Sequence, residues 1–324
     1  MSAVLRAARP RVAVVGAGAM GSLHIRAIAE SEIATLAMIV DNDQARASST
    51  AVEYGVEWST DPGAAVAADA AIIATPGFSH AEVSLPMLEA GLPVLIEKPL
   101  TMDEPSCGEI VAQAAIADVP IMCGFVERFN PVISATLKRL DGSTPLHITA
   151  TRHSPPNSRA AISVVYDLLI HDLDLAIRLS GSQPTAGPDP IGWVSPSTRL
   201  AEIAACSLRL EDGGIAALSA SRAAQRKIRE ITVTTPVEQI ELDLMRRTMT
   251  VYRHVHHEQS PIDGGYRADT VIDIPFVRQE GEPLAMQLKH FVGLIKGDLD
   301  HEAERLSIVP SHLLAFGIEN SISP

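Results

Sequence analysis

Gly16, Gly18 and Gly21 stand at Gly-x-Gly-x-x-Gly spacing, and Asp41 follows twenty residues after the last of them. The glycines, with Ala19 and Met20 among them, lie between an apolar run, Arg11 to Val15, and a helical stretch, Ser22 to Ala29. Such a turn suits a pyrophosphate: Gly16 permits the tight bend, Gly18 lets the backbone approach the phosphates, and Gly21 allows close strand–helix packing. Asp41 ends a second apolar run, Thr35 to Val40, where a carboxylate accepts both ribose hydroxyls of an adenosine. A 2′-phosphate there would meet like charge, and neither Asn42 nor Asp43 offsets it. Arg46, one turn into the next helix, reads as pointing to solvent. The expected cofactor is therefore NAD, with Asn42 beside the ribose, and NADP is disfavoured.

Two further segments lie where doubly wound sheets place their ligands, beyond the carboxyl ends of strands. Thr75-Pro76 follows the fourth strand, with His80 opening the next helix, and Glu97-Lys98-Pro99 follows the fifth. Lys98, at a strand's carboxyl end and bracketed by an acid and a proline, is costly to place without a role; the plainer alternative is an exposed loop lysine. Asp167, His171 and Asp174 recur at i, i+4 and i+7, on one face of a helix from about Val164 to Leu179. Asp167 can orient the His171 imidazole as a general base. Alternatively, Asp167 only complements the helix N-terminus and His171 is a satisfied, half-buried histidine. His254 and His256 share a strand face next to His257, but no acid or cysteine at ligand spacing completes a metal site, so solvated histidines are expected. Trp58 and Trp193 read as packing residues.

The elements that must carry these groups follow from composition and periodicity. The chain has 324 residues and a net charge of −13, enough for two cores and ill suited to nucleic acid or an anionic membrane. No leader or membrane-length apolar run is evident, and Cys107, Cys123 and Cys206 read as buried reduced thiols, so a cytoplasmic protein is expected. Strand and helix alternate through residue 124, as in a doubly wound parallel sheet. Beyond it, strands joined by polar turns dominate, with Glu211-Asp212-Gly213-Gly214 as a hairpin turn and residues 182–190 as a surface loop. Expected are an α/β dinucleotide domain, residues 1–124, and an α+β domain, residues 125–324, with a large, mainly antiparallel open sheet. Ala204, Cys206, Ala216, Leu218 and Ala220 would give that sheet an apolar face, covered in a homodimer or homotetramer.

Taken in order, Gly16 to Gly21 with His24, Thr75-Pro76 with His80, Glu97-Lys98-Pro99 and Asp167 to Asp172 resemble the glucose–fructose oxidoreductase / inositol dehydrogenase / rhizopine catabolism (Gfo/Idh/MocA) family. Residues 283–291 are similar to its penultimate helix, so the resemblance covers nearly the whole chain. It implies a Rossmann domain and hydride transfer between a nicotinamide and a carbinol of a sugar or cyclitol. It also implies Lys98 and His171 as the catalytic pair, with Asp167 beside them. Thr75, Pro76 and His80 would meet the nicotinamide half, Glu97 its ribose, and Arg128 and Arg159 the cofactor or the substrate's anionic end. Residues 125–131 and 166–174 resemble the branch that oxidises nucleotide-activated N-acetylhexosamines at C3, although residues 160–165 depart from its usual spelling. A cyclitol or sugar-phosphate dehydrogenase and a non-catalytic NAD-binding sensor are the alternatives.

Overall fold

In the computed structural model, residues 9–156, 161–185, 187–257 and 267–322 are described. The first strand β1 (Arg11–Val15) leads through the glycine turn into α1 (Ala19–Ala29), and the alternation continues with β2 (Thr35–Val40), α2 (Gln44–Tyr54) and β3 (Glu57–Ser59). Then come β4 (Ala70–Ile73), α3 (His80–Glu89), β5 (Val94–Ile96), α4 (Glu104–Ala117) and β6 (Ile121–Cys123). The six strands pair in parallel in the order β3-β2-β1-β4-β5-β6. Short uninterrupted apolar strands require cover on both faces, and β4, β5 and β6 are fully buried. The order reverses between β1 and β4, the switch point at which such sheets bind ligands.

The next unit begins with α5 (Pro131–Arg139) and β7 (His147–His153). The single long helix expected over 164–179 is instead a π-helical turn, Val165–Leu169, running into α6 (Ile170–Ser180). Strands β8 (Asp189–Val194), β9 (Ala201–Arg209), β10 (Ile215–Ser221), β11 (Ile228–Thr234), β12 (Gln239–Asp243), β13 (Thr248–His257) and β14 (Arg267–Asp273) follow. They form an eight-stranded sheet ordered β14-β13-β12-β11-β7-β10-β9-β8, antiparallel except for the β7–β10 pair. β8 replaces the end of the expected surface loop. It is an edge strand, where Pro190 is tolerated because only one side is paired.

The expected exposed apolar face needs correction. Ala204, Cys206, Ala216, Leu218 and Ala220 are all buried, under the π turn and α6 of their own unit. The uncovered face carries the alternate residues, among them Thr149, Thr151, Ala205, Ser207, Ala217 and Ser219.

Helices α7 (Pro283–Lys296) and α8 (His301–Ile322) close the chain. Residues 281–316 group with residues 1–126 as one compact unit, and 317–324 with 127–280 as the other. The C-terminal helices thus largely return to the dinucleotide unit, where α7 packs on α1, instead of belonging wholly to the second domain. Their amphipathic pattern says that a face is buried, but not against which sheet.

Candidate active site

The glycine turn has the geometry of an anion cradle. Gly16 holds φ +93°, and a Cβ there would stand 2.7 Å from the Ala74 carbonyl oxygen. A Cβ on Gly21 would lie 1.7 Å from the Gly16 oxygen. Gly18 differs: nothing lies within 4 Å of its missing Cβ, which leaves open space at the N-terminus of α1. That helix has no side-chain cap and no acidic residue in its first turn, so the amides around Ala19 and Met20 keep their affinity for phosphate. A cleft of about 600 Å³ runs past Gly16, Gly18 and Met20, reaches Asp41 and Asn42 at one end, and Thr75, Pro76 and Lys98 at the other. The chemistry of these donors fits a dinucleotide.

Asp41 stands at the end of β2 with its carboxylate engaged on both oxygens. Oδ2 accepts Ala17 N–H at 2.7 Å and Arg46 Nε–H at 2.9 Å. Oδ1 accepts Asp43 N–H at 2.8 Å and Arg46 Nη2–H at 2.8 Å. Arg46 therefore does not simply point to solvent; it closes a two-pronged pair on the carboxylate. The sequence pattern missed this because Arg46 follows Asp41 by five residues across a helix start, not within one helix. Burial works to raise the Asp41 carboxyl, and the Arg46 side chain with the two backbone amides outweighs it, holding it below its ordinary value.

At the other end of the cleft, Lys98 is half-buried on the turn after β5. Its neighbours Glu97 and His80 are held by contacts of their own, and Glu97 also lines the cleft. The Glu97 carboxylate is turned inward: Oε1 lies 2.6 Å from His24 Nε2, and Oε2 accepts Lys98 N–H at 3.2 Å. It packs so closely on β6 that a Cβ on Gly124 would stand 2.6 Å from Oε2, which explains the glycine. Rather than facing the cleft, both His80 ring nitrogens meet backbone carbonyls, Nδ1 that of Pro99 at 2.8 Å and Nε2 that of Thr75 at 2.9 Å. Burial lowers the His80 pKa. Glu97 and His80 thus shape the loops that carry Thr75, Pro76 and Lys98.

In the second unit His171 lies in the first turn of α6 and is largely buried. The carboxylates that follow it tie the helix down. Asp172 receives Arg152 at both oxygens, with Nε to Oδ2 at 2.9 Å and Nη2 to Oδ1 at 2.8 Å. Arg128, expected on the cofactor or substrate, gives its Nε–H to Asp174 Oδ2 at 2.8 Å, deep in the same unit. Asp174, expected to share the chemical face of His171, is thereby a structural anchor. Glu127 completes the network, its Oε1 accepting from Arg152 at 2.9 Å and from Arg229 at 3.0 Å. Asp167 sits in the π turn, and its carboxylate meets Arg222 Nη1 at 3.4 Å. Arg222 also holds the Ile162 carbonyl at 2.7 Å and Glu202 at 2.9 Å. π turns recur at functional sites, and here one separates the acid from the imidazole.

Arg159 lies outside the described residues, as do the side chains of His256 and His257. Among the described residues no His, Cys, Asp and Glu cluster could hold a metal, and no helix is long and apolar enough to cross a membrane. The three cysteines are buried and unbridged. Burial pushes the Cys107 thiol up to about 11 and Cys206 up to about 12, so neither is poised as a nucleophile.

A parallel sheet in this order, with an anion cradle at α1 and a carboxylate at the end of β2, defines an NAD-binding oxidoreductase domain. The family model described as "Oxidoreductase family, NAD-binding Rossmann fold" (GFO_IDH_MocA) matches residues 10–125. The UDP-N-acetylglucosamine 3-dehydrogenase of Acidithiobacillus ferrooxidans is 30% identical over 277 residues, 85% of this chain and 83% of the relative. Its solved structure superposes with a TM-score of 0.84 at 26% identity, covering 97% of both chains. The inositol 2-dehydrogenase of Corynebacterium glutamicum is 38% identical over 184 residues, 53% of this chain and 55% of that one. A levoglucosan dehydrogenase solved with NADH shares the fold, with a TM-score of 0.82 at 18% identity. The chain belongs to the Gfo/Idh/MocA family of NAD-dependent dehydrogenases.

Proposed function

We propose that the protein oxidises the C3 hydroxyl of a nucleotide-activated amino sugar, UDP-N-acetylglucosamine or a close analogue, or reduces the corresponding ketone. The observation that carries this reading is extent. The likeness to the UDP-N-acetylglucosamine 3-dehydrogenase runs through both units, whereas the inositol dehydrogenase matches about half of each chain.

In the oxidation direction His171 takes the hydroxyl proton, and Lys98 donates a hydrogen bond to the oxygen as it becomes an alkoxide. NAD, when bound, supplies the hydride acceptor. Asp167 supports the charge that His171 gains. Arg152 and Arg128, through Asp172 and Asp174, fix the helix that carries the imidazole. The α1 amides and Asp41 bind the cofactor's pyrophosphate and ribose, Asn42, Thr75 and Pro76 line its path, and Arg159 is assigned to the anionic end of the substrate.

The test is NADH formation by the full-length protein with NAD and either UDP-N-acetylglucosamine or myo-inositol. Turnover of the sugar nucleotide alone supports the reading, and turnover of myo-inositol alone establishes the cyclitol alternative. That second reading is favoured by the higher local identity of the inositol 2-dehydrogenase. Tight NADH binding without turnover of any sugar or cyclitol would mark a sensor.

We also propose a cytoplasmic homo-oligomer that associates through the uncovered face of the eight-stranded sheet. Its small Thr, Ser and Ala side chains allow close approach, and Ile191, Trp193 and Ile203 lie exposed near one edge. A monomer by light scattering at micromolar concentration would refute the association.

A further inference from the structure

The turn Glu97-Lys98-Pro99-Leu100 is gripped by three buried histidines from three helices. His24 on α1 meets the Glu97 carboxylate at 2.6 Å, and His80 on α3 meets the Pro99 carbonyl at 2.8 Å. His312 on α8 accepts the Leu100 N–H through Nε2 at 2.8 Å, across 212 residues of sequence. All three are nearly inaccessible to solvent, and His312 completely so.

The His312 contact fixes its own chemistry. An amide N–H only donates, so Nε2 must carry a lone pair and the ring proton must sit on Nδ1. Nδ1 faces the Ile308 carbonyl at 2.8 Å, one turn back along α8, which accepts that proton. The ring rests 5.5 Å, centroid to centroid, from Phe125 and 6.2 Å from Phe316, so it is held in orientation as well as in tautomer. Pro99 has no N–H, which makes Leu100 N–H the first backbone donor after Lys98. Glu97 N–H bonds to the Ile73 carbonyl and Lys98 N–H to the turn's own Glu97 carboxylate, and the three rings add contacts from neighbouring helices.

We propose that His312 is a positioning residue of the reaction: it aims Lys98 by anchoring the backbone two residues downstream. His312 affects turnover only if Lys98 has the role given above, so the experiment separates the two claims. The full-length protein is assayed with NAD and whichever of UDP-N-acetylglucosamine and myo-inositol it turns over. His312→Leu keeps bulk and loses the acceptor, His312→Gln restores an acceptor oxygen at the reach of Nε2, and His312→Asn is polar but too short.

Leu and Asn should lower kcat by about tenfold to a hundredfold, the cost of a misplaced catalytic group, with NADH affinity and sugar KM within about twofold of the parent. Gln should stay within about threefold of the parent. In a Lys98→Met background, His312→Asn should cost less than about twofold more, because no amine remains to be aimed. Near-parent kcat in folded His312→Asn overturns the proposal, as does an undiminished effect in the Lys98→Met background. If Lys98→Met itself retains turnover, the assignment of Lys98 has failed instead. If neither sugar is turned over, hydrogen exchange of residues 97–101 decides: protection should fall with Asn and survive with Gln, and unchanged protection with Asn overturns the proposal.

Discussion

Replacing Asp41 by serine should invert the cofactor preference, and the structure sets the size of the effect. The carboxylate offers two charged acceptors to the adenosine ribose, each hydrogen bond worth about 1.5 kcal/mol at the low end for charged partners, or about 3 kcal/mol together. Arg46 occupies the same oxygens and must give way. Its side chain is 44% exposed, so releasing it costs no more than about 1 kcal/mol. The net contribution is about 2 kcal/mol, and Asp41→Ser should weaken NADH by about thirtyfold. The serine hydroxyl still accepts a backbone N–H, which limits damage to the turn. Arg46, freed from its partner, then faces the position of a 2′-phosphate, and one charge-assisted contact should tighten NADPH by about tenfold or more. Fluorescence titration of both nucleotides against the parent, Asp41→Ser and Asp41→Ser/Arg46→Ala measures each step, the last variant withdrawing the NADPH gain. Equal weakening of both nucleotides by Asp41→Ser, or a parent that binds NADPH as tightly as NADH, would refute the reasoning.

Lys98→Met and His171→Ala should each lower turnover by about a hundredfold or more while NADH titrations stay within about twofold, and near-normal turnover in either removes that residue from the chemistry. Asp172→Ala would leave Arg152 buried and half-partnered, so urea denaturation should show a loss of about 3–5 kcal/mol; a loss below about 1 kcal/mol would mean that water or Glu127 replaces the carboxylate. Burial raises the Glu127 carboxyl, but Arg152, Asn130 and Arg229 outweigh it and hold it below its ordinary 4.5. Its depressed native pKa means that the unfolded chain binds the proton first. The stability it contributes is complete above pH 4.5 and lost as acid takes the pH down through the native value. Glu127→Gln should flatten stability against pH in that acid range, and an unchanged slope would contradict the assignment.

Much of the first unit was legible because parallel strands buried on both faces must be continuous apolar runs, as Val12 to Val15 and Ala70 to Ile73 are. The three glycines could also be read, since each answers a different steric demand. β8 was hidden because Pro190 argues against a strand until its place at the sheet edge is known. The π turn at Val165–Leu169 was hidden for another reason: it inserts one residue into a helical pattern without altering which residues are apolar. The return of α7 to the first unit depends on packing between elements distant in sequence, which no local period encodes.

The site divides along the same line. Gly18, Asp41, Lys98 and His171 announce themselves because their residue types are costly where the pattern places them. The groups that hold them do not, yet two left a trace. Ile148, Ala150 and Arg152 alternate along β7, and Ala216, Leu218, Ala220 and Arg222 alternate along β10 and just past it, so each arginine continues a row of buried apolar residues. A strand that places an arginine on its covered face must supply it with carboxylates, because an unpaired buried charge is not tolerated. For Arg152 these are Asp172 and Glu127, and for Arg222 they are Glu202 and Asp167. Reading each arginine as a demand for acids would have pointed to the residues that flank His171 on either side. What the sequence cannot supply is the pairing. Asp167, Asp172 and Asp174 lie close together along the chain, and only the π turn and the packing of distant elements assign Asp167 to Arg222, Asp172 to Arg152 and Asp174 to Arg128.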